Sequence, residues 1–247
     1  RLVVATYGAP QADELGDLGI GSPAEAGQRL LEQAAEFEGQ GRPVLPAMEL
    51  IAEIANRDPG ADGLYRTRQP DRIIRRYLEA AREVGAILIL DLQPGHASLF
   101  SEAQAFEKWL REPDVSLALD PEWHTPGAVP GTVIGSVDAR EINAISFWLE
   151  ELVREQDLPQ KLLIVHRFTD AMIAGEEDLK ARERVAVTVN VDGFGRRRIK
   201  VSKYHAFAKR RPGLYNGFKL FYREDVDILP PHRVLKLNPQ PNLVVYE

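Results

Sequence analysis

Eight short runs of aliphatic and β-branched residues recur along the 247-residue chain, and most intervals between them carry a loop followed by a segment of helical periodicity. The runs are LVVAT (Leu2 to Thr6), PVLPAMEL, AILILDLQPG, Val115 to Leu119, KLLIVHRF, RVAVTVNVDG, GFKLFY and NLVVYE. The third is uniformly apolar, as a strand covered on both faces must be. Strand and helix patterns alternating over about 250 residues predict an α/β protein, a (β/α)8 TIM barrel formed as one domain over residues 1–247. An open doubly wound sheet is the competing architecture. It is disfavoured because YGAPQADELGDLG after the first run lacks the glycine spacing of a dinucleotide-binding turn.

The helical segments have readable ends. Ser22, Pro23 and Glu25 give an N-cap, a first-turn proline and an acidic third position, opening a helix to about Phe37. Apolar residues at helical spacing run from Pro70 to Val84, where Gly85 stops them; further helices are expected over Glu102 to Leu110 and Ala139 to Glu155. Helical patterns after the fifth and seventh runs are weak. RDPGADGLYRTRQP reads as an excursion over the barrel mouth.

Composition removes several function classes. Thirty-one basic against thirty-seven acidic residues give a formal charge of -6, which draws the chain neither to nucleic acid nor to an anionic membrane. The basic runs at Arg196 to Arg198 and Lys209 to Arg211 flank turns and read as solvated faces. Without cysteine there is no disulfide, thiolate metal site or cysteine nucleophile. No apolar run approaches the ~20 residues of a membrane span. The P-loop, HExxH and His-x-His patterns are missing too, so no cofactor and no resident metal is expected.

In a barrel of this kind, chemistry sits at the C-terminal ends of the strands. Those ends are strongly polar: Tyr7, Glu49, Asp91 and Gln93, then Asp120, Glu122, Trp123 and His124, then His166 and Phe168, Asn190 and Asp192, Lys219 and Tyr222. Asp91 with Gln93, Asp120 with Glu122, and Asn190 with Asp192 are each two residues apart, so each pair can share a side of its strand. Acids converging on one mouth repel one another, which raises at least one pKa and keeps a carboxylic acid protonated near neutral pH. Asp120, Glu122 and Asp91 are the catalytic candidates. Tyr7, Gln93, Trp123, His166, Phe168, Asp192, Lys219 and Tyr222 are the substrate-binding candidates, with Trp123 or Phe168 as a stacking surface for a sugar ring. Asp-Pro-Glu after a strand is also an ordinary loop opening, and Glu49 in LPAMELIAEIA also reads as an exposed helix residue. His96 and His124 lie on loops and read as surface histidines.

At the fourth run, LALDPEW resembles the strand-end Asp-x-Glu of chitinase-like hydrolases and of Chalaropsis-type muramidases. By that resemblance Glu122 is the proton donor and Asp120 its assisting carboxylate. The upstream aspartates of the chitinase pattern are replaced by Leu117 and Ala118. More broadly, YGAP, LDLQPG, LALDPEW, VNVDG and GFKLFY resemble a group of exported, lipoprotein-like bacterial barrel proteins, many from actinobacteria, that carry no assigned activity. This likeness implies the barrel fold and an exported or cell-surface location. The combined expectation is a glycoside-hydrolase-like protein acting on carbohydrate or cell-wall glycan by carboxylate acid and base chemistry. Two alternatives stay open: a noncatalytic barrel binding envelope glycan, and a metal-dependent hydrolase using Asp91, Asp120, Glu122, Asp192 and His166.

Overall fold

A computed structural model describes residues 1–39 and 41–247. Eight parallel strands close into a barrel: β1 (Leu2–Gly8), β2 (Val44–Ala55), β3 (Ile87–Leu92), β4 (Val115–Leu119), β5 (Lys161–Arg167), β6 (Val185–Val191), β7 (Tyr215–Leu220) and β8 (Leu243–Tyr246). Each pairs with the next in sequence, and β8 returns to β1 with Val3 beside Leu243 and Thr6 beside Tyr246. The expected TIM-barrel-like architecture is therefore present.

Among the described residues the helices are fewer than in a regular barrel of this class. They are α1 (Pro23–Ala35), α2 (Asp71–Glu83), α3 (Leu99–Ala105), α4 (Glu107–Leu110), α5 (Ala139–Glu155), α6 (Arg197–Phe207) and α7 (Pro231–Val234). Between β5 and β6 the described residues form only short 3-10 turns and a two-residue bridge strand, and α7 is four residues long. The helix expected over Glu102 to Leu110 starts earlier, at Leu99, and breaks at Phe106 into α3 and α4. No helix among the described residues is long and apolar enough to cross a membrane.

Local chemistry fixes the better-defined helices. Ser22 caps α1 with a reciprocal box: its hydroxyl accepts from the Glu25 N–H, and its own N–H reaches the Glu25 carboxylate at 2.7 Å. Ile142, Ile145, Leu149, Leu152 and Val153 form the buried stripe of α5, packed on Leu117, Leu119, Leu163 and Val165 from the outer face of the sheet. Alternate residues point inward. Val3, Ala5 and Tyr7, Ala47 and Ile51, Ile89, Ala118, Ile164, Leu243 and Val245 fill the barrel.

β2 outruns the expected strand. It continues to Ala55, where Arg66–Arg68 pairs with it antiparallel, so Glu49 lies mid-strand and wholly buried rather than on an exposed helix. The extension is held by buried Glu53, which Arg66 Nε approaches at 3.0 Å, and by Glu102, which Arg68 Nη2 reaches at 2.6 Å. The segment between the two strands reaches the mouth, where the Leu64 carbonyl accepts from the His96 N–H at 2.9 Å.

The inner layer has little slack where it supports the mouth. Gly217 on β7 lies beside Asn190 on β6, and a methyl group there would stand 2.4 Å from Asn190 Oδ1 and 3.1 Å from Leu243 Cδ2. Gly217→Ala is expected to lower unfolding free energy by about 1–3 kcal/mol, the usual cost of overpacking a filled core. Urea denaturation monitored by circular dichroism checks this.

Candidate functional site

Inward parity carries charged and polar side chains to the C-terminal end of the barrel. Glu49, Asp91, Asp120, His166, Asn190, Asp192 and Lys219 arrive from strands or strand ends, and each is less than one-tenth exposed. Buried charges of this number must be paired, hydrogen-bonded or neutralised, and all of them but Asp120 are joined in one network of hydrogen bonds and ion pairs.

His166 is its hub. Its Nε2 lies 2.9 Å from Glu49 Oε1 and 3.7 Å from Asp91 Oδ1, and its Nδ1 lies 3.1 Å from Asp192 Oδ2. Burial alone would lower the His166 pKa, but the hydrogen bonds to Asp192 and Glu49 and the charge of Glu49 raise it well above its ordinary value. Both ring nitrogens face carboxylates, an arrangement that favours a proton or another cation at each.

Lys219 is the second cation. Its Nζ lies 2.7 Å from Glu247 Oε2, 3.4 Å from Asp192 Oδ2 and 3.6 Å from the centre of the Tyr7 ring. The Tyr7 hydroxyl donates to Asp91 Oδ2 at 3.0 Å and accepts from Gln93 Nε2 at 3.3 Å.

Above this network opens a cavity of about 340 Å³. That is at the small end of ligand pockets, which run about 300–1,000 Å³. Tyr7, Gln93, Asp120, Glu122, Asp192, Lys219 and Glu247 supply its polar lining, and Trp123, Phe168, Phe194 and Phe221 its apolar wall.

The carboxyls differ in charge. Burial, then the neighbouring charges of Asp91 and Glu122, push Asp120 well above the ordinary range despite His166 and Lys219. Asp91 is pushed up to about 6 by burial and Glu49, against the opposing pull of His166. Glu122 is pushed up to about 7, first by burial and then by Asp192. Burial would raise Asp192 as well, but Lys219, the hydrogen bond and charge of His166, and the Gly193 N–H at 2.6 Å hold it well below the usual carboxylate range.

Most of the residues expected from the sequence meet here, with exceptions of physical interest. Asp91 and His166 are fully buried beneath the cavity rather than on its wall. β4 ends at Leu119, and Pro121–Trp123 is a 3-10 turn, so Glu122 reaches the cavity by that turn rather than by strand alternation from Asp120. Tyr222 is not in the site. It is 43% exposed, stacks on Tyr246 with ring centres 5.3 Å apart, and hydrogen-bonds Gln33 outside the barrel. Lys219 points inward, so the next inward position is Phe221, which lines the cavity. Counting by twos from Lys219 finds Phe221, and counting from Val245 finds Glu247. Lys203 on α6 also lines the cavity, and the sequence carried no signal for it.

His124 binds the Ser136 carbonyl through Nδ1 at 2.7 Å, and His96 packs on Tyr65; neither lines the cavity. Of the basic runs, Arg210 and Arg211 are exposed, whereas Lys209 is half-buried against Glu176.

No protein-family model matches this chain, and no curated protein matches it. The site is therefore read from its own chemistry.

Lys219→Met removes the cation shared by Asp192 and Glu247 while keeping much of the side-chain volume. Stripping one partner from a buried charge network costs about 3–5 kcal/mol. A loss of that size at neutral pH is expected in guanidinium unfolding, and a loss below 1 kcal/mol would show that Lys219 is not what balances Asp192.

Proposed function

We propose that the protein is a glycoside hydrolase acting on carbohydrate, with cell-envelope glycan as the substrate class. The observation that supports this reading is the pair Glu122 and Asp192, two carboxyls lining one cavity, the first pushed up to about 7 and the second held well below the usual carboxylate range by Lys219 and His166. Glycosidic cleavage needs such a pair, an acid to protonate the leaving oxygen and a carboxylate to stabilise the positive charge that develops on the sugar.

Glu122 is half-buried, and near neutral pH a large fraction of it holds its proton. It protonates the glycosidic oxygen as the bond from the anomeric carbon to that oxygen breaks. Asp192 stays ionised because Lys219 Nζ and the Gly193 N–H face it, and it stabilises the carbon left electron-poor. Water then adds its hydroxyl to that carbon, and the remaining proton returns to the carboxylates. Asp120, neutral in its buried position, donates a hydrogen bond to the sugar instead of acting as the charged assistant. Trp123 and Phe168 offer apolar faces to the ring, and Gln93 and Tyr7 offer polar contacts from the floor. The exported, lipoprotein-like resemblance makes envelope glycan the natural choice among polysaccharides.

The test is product release from a panel of cell-wall glycans and polysaccharides, read by mass spectrometry. Glu122→Gln is expected to lower kcat by about 10²–10⁴-fold, the usual contribution of a general acid, with the fold intact. Activity retained in this variant would overturn the assignment. Retention of a glycan by both proteins with no product would make the barrel a binding protein.

The pH profile gives a second check. Glu122 works in its protonated form, and its pKa is raised by burial, Asp192 and Glu247 against Lys219 and His166. Turnover should therefore be full below pH about 7 and fall roughly tenfold per unit above it. A profile flat from pH 6 to 9 would remove Glu122 from the acid role.

A further inference from the structure

On the wall and floor of the cavity, buried acids outnumber buried cations. Glu49 and Asp91 on the floor and Asp120 and Asp192 on the wall face two buried cations, His166 and Lys219. Two carboxylate oxygens in this layer, Glu49 Oε2 and Asp91 Oδ1, are shielded from solvent and have no hydrogen-bond partner. An orphaned buried carboxylate oxygen costs free energy unless something meets it.

The two residues that carry these atoms lie together with His166. Glu49, Asp91 and His166 each offer one donor atom, and the three donors lie within 4.8 Å of one another. From His166 Nε2 the distances are 2.9 Å to Glu49 Oε1 and 3.7 Å to Asp91 Oδ1. Donors bound to one ion at about 2.1 Å stand about 3.0–3.7 Å apart for bond angles of about 90–125°. Both separations fall at or close to the limits of that range, and Glu49 Oε2 gives a third oxygen donor, on the same carboxylate as Oε1.

The surroundings fit as well. His166 Nδ1 is 3.1 Å from Asp192 Oδ2, the carboxylate partner that fixes the ring orientation of a metal-bound histidine. The Tyr7 hydroxyl holds the other oxygen of Asp91 at 3.0 Å and leaves Oδ1 free.

We propose that Glu49, Asp91 and His166 form a divalent-cation site on the floor of the barrel mouth. One imidazole with two carboxylates suits Zn2+ or Mn2+. The ion takes the position of the proton on His166 Nε2 and meets the orphaned oxygens.

None of its three ligands lines the cavity, and Tyr7 and Gln93 lie between the two. The ion therefore holds β2, β3 and β5 together and offsets negative charge below the substrate, and the proposal stands whether or not the cavity cleaves glycans.

The experiment is metal analysis and thermal unfolding of the whole protein. After chelation and removal of the chelator, Zn2+ or Mn2+ at 100-fold its Kd should raise Tm by about 5 °C or more, with one ion per chain. Glu49→Gln and His166→Asn should each abolish that rise. If either variant fails to fold, Co2+ bound to the wild-type chain gives an independent reading, because low-coordinate Co2+ with nitrogen and oxygen donors has distinct visible absorption bands. No stoichiometric ion and no change in Tm would overturn the proposal and leave protonation to balance the layer. A rise that persists in both variants would overturn it too, by placing the ion elsewhere.

Discussion

A buried carboxyl side chain is tolerable only with a partner or a proton, and at the mouth of this barrel four of them share Lys219 and His166. That shortage of positive charge organises the site. Lys219 lies closest to Glu247 and Asp192, so those acids claim its charge. His166 bridges Glu49 and Asp192 and approaches Asp91 only at 3.7 Å. Among the described residues Asp120 has no comparable ion pair, and burial with the charges of Asp91 and Glu122 raises it well above the ordinary carboxylate range. Glu122, nearer the solvent, feels the same surplus more weakly and lies between the extremes.

The barrel makes this arrangement possible because it forces eight strand ends to converge. An open sheet carrying the same residues would spread them along an edge, where water would screen each one and leave its pKa near the ordinary value. Closure places Glu49 on β2 against His166 on β5, 117 residues apart in sequence, with both side chains fully buried. Rigidity comes from the apolar layer below, where Ala5, Ala47, Ile89, Ala118, Ile164 and Val245 leave the charged groups little room to relax apart.

How much of this was legible depended on periodicity. β4 and α5 end where their patterns end, because a continuous apolar run and a clean helical stripe have few alternatives. Asp91, Gln93, Asp120, His166, Asp192 and Lys219 followed from strand ends alone. Glu49 stands among those strand ends too, yet LPAMELIAEIA fits helical and extended spacing equally well, and its pairing with Tyr7 on β1 and Ile89 on β3 settles it as a strand. Tyr222 ends the seventh run, but parity from Lys219 points to Phe221, which lines the cavity. Glu122 reached the site although β4 had already ended, which period-two counting could not foresee. The division between cavity wall and buried floor was invisible too, because depth along a barrel axis depends on the stagger of neighbouring strands.

That division carries the main functional consequence. Glu122 and Asp192 touch the cavity, whereas Glu49, Asp91 and His166 lie under it. Asp192 belongs to both layers, with one oxygen shared by His166 and Lys219 and the other held by the Gly193 N–H. Whatever neutralises the floor therefore acts on the wall through Asp192. Weakening the grip of His166 on Asp192 lets that carboxylate take up a proton more readily, and the repulsion that helps hold Glu122 in its acid form falls with it. The two carboxyls keep opposite charge states only while the floor stays cationic enough to hold one of them ionised. In this barrel Glu122 on the wall answers first to its burial and then to Asp192, whose own charge is held from the layer beneath.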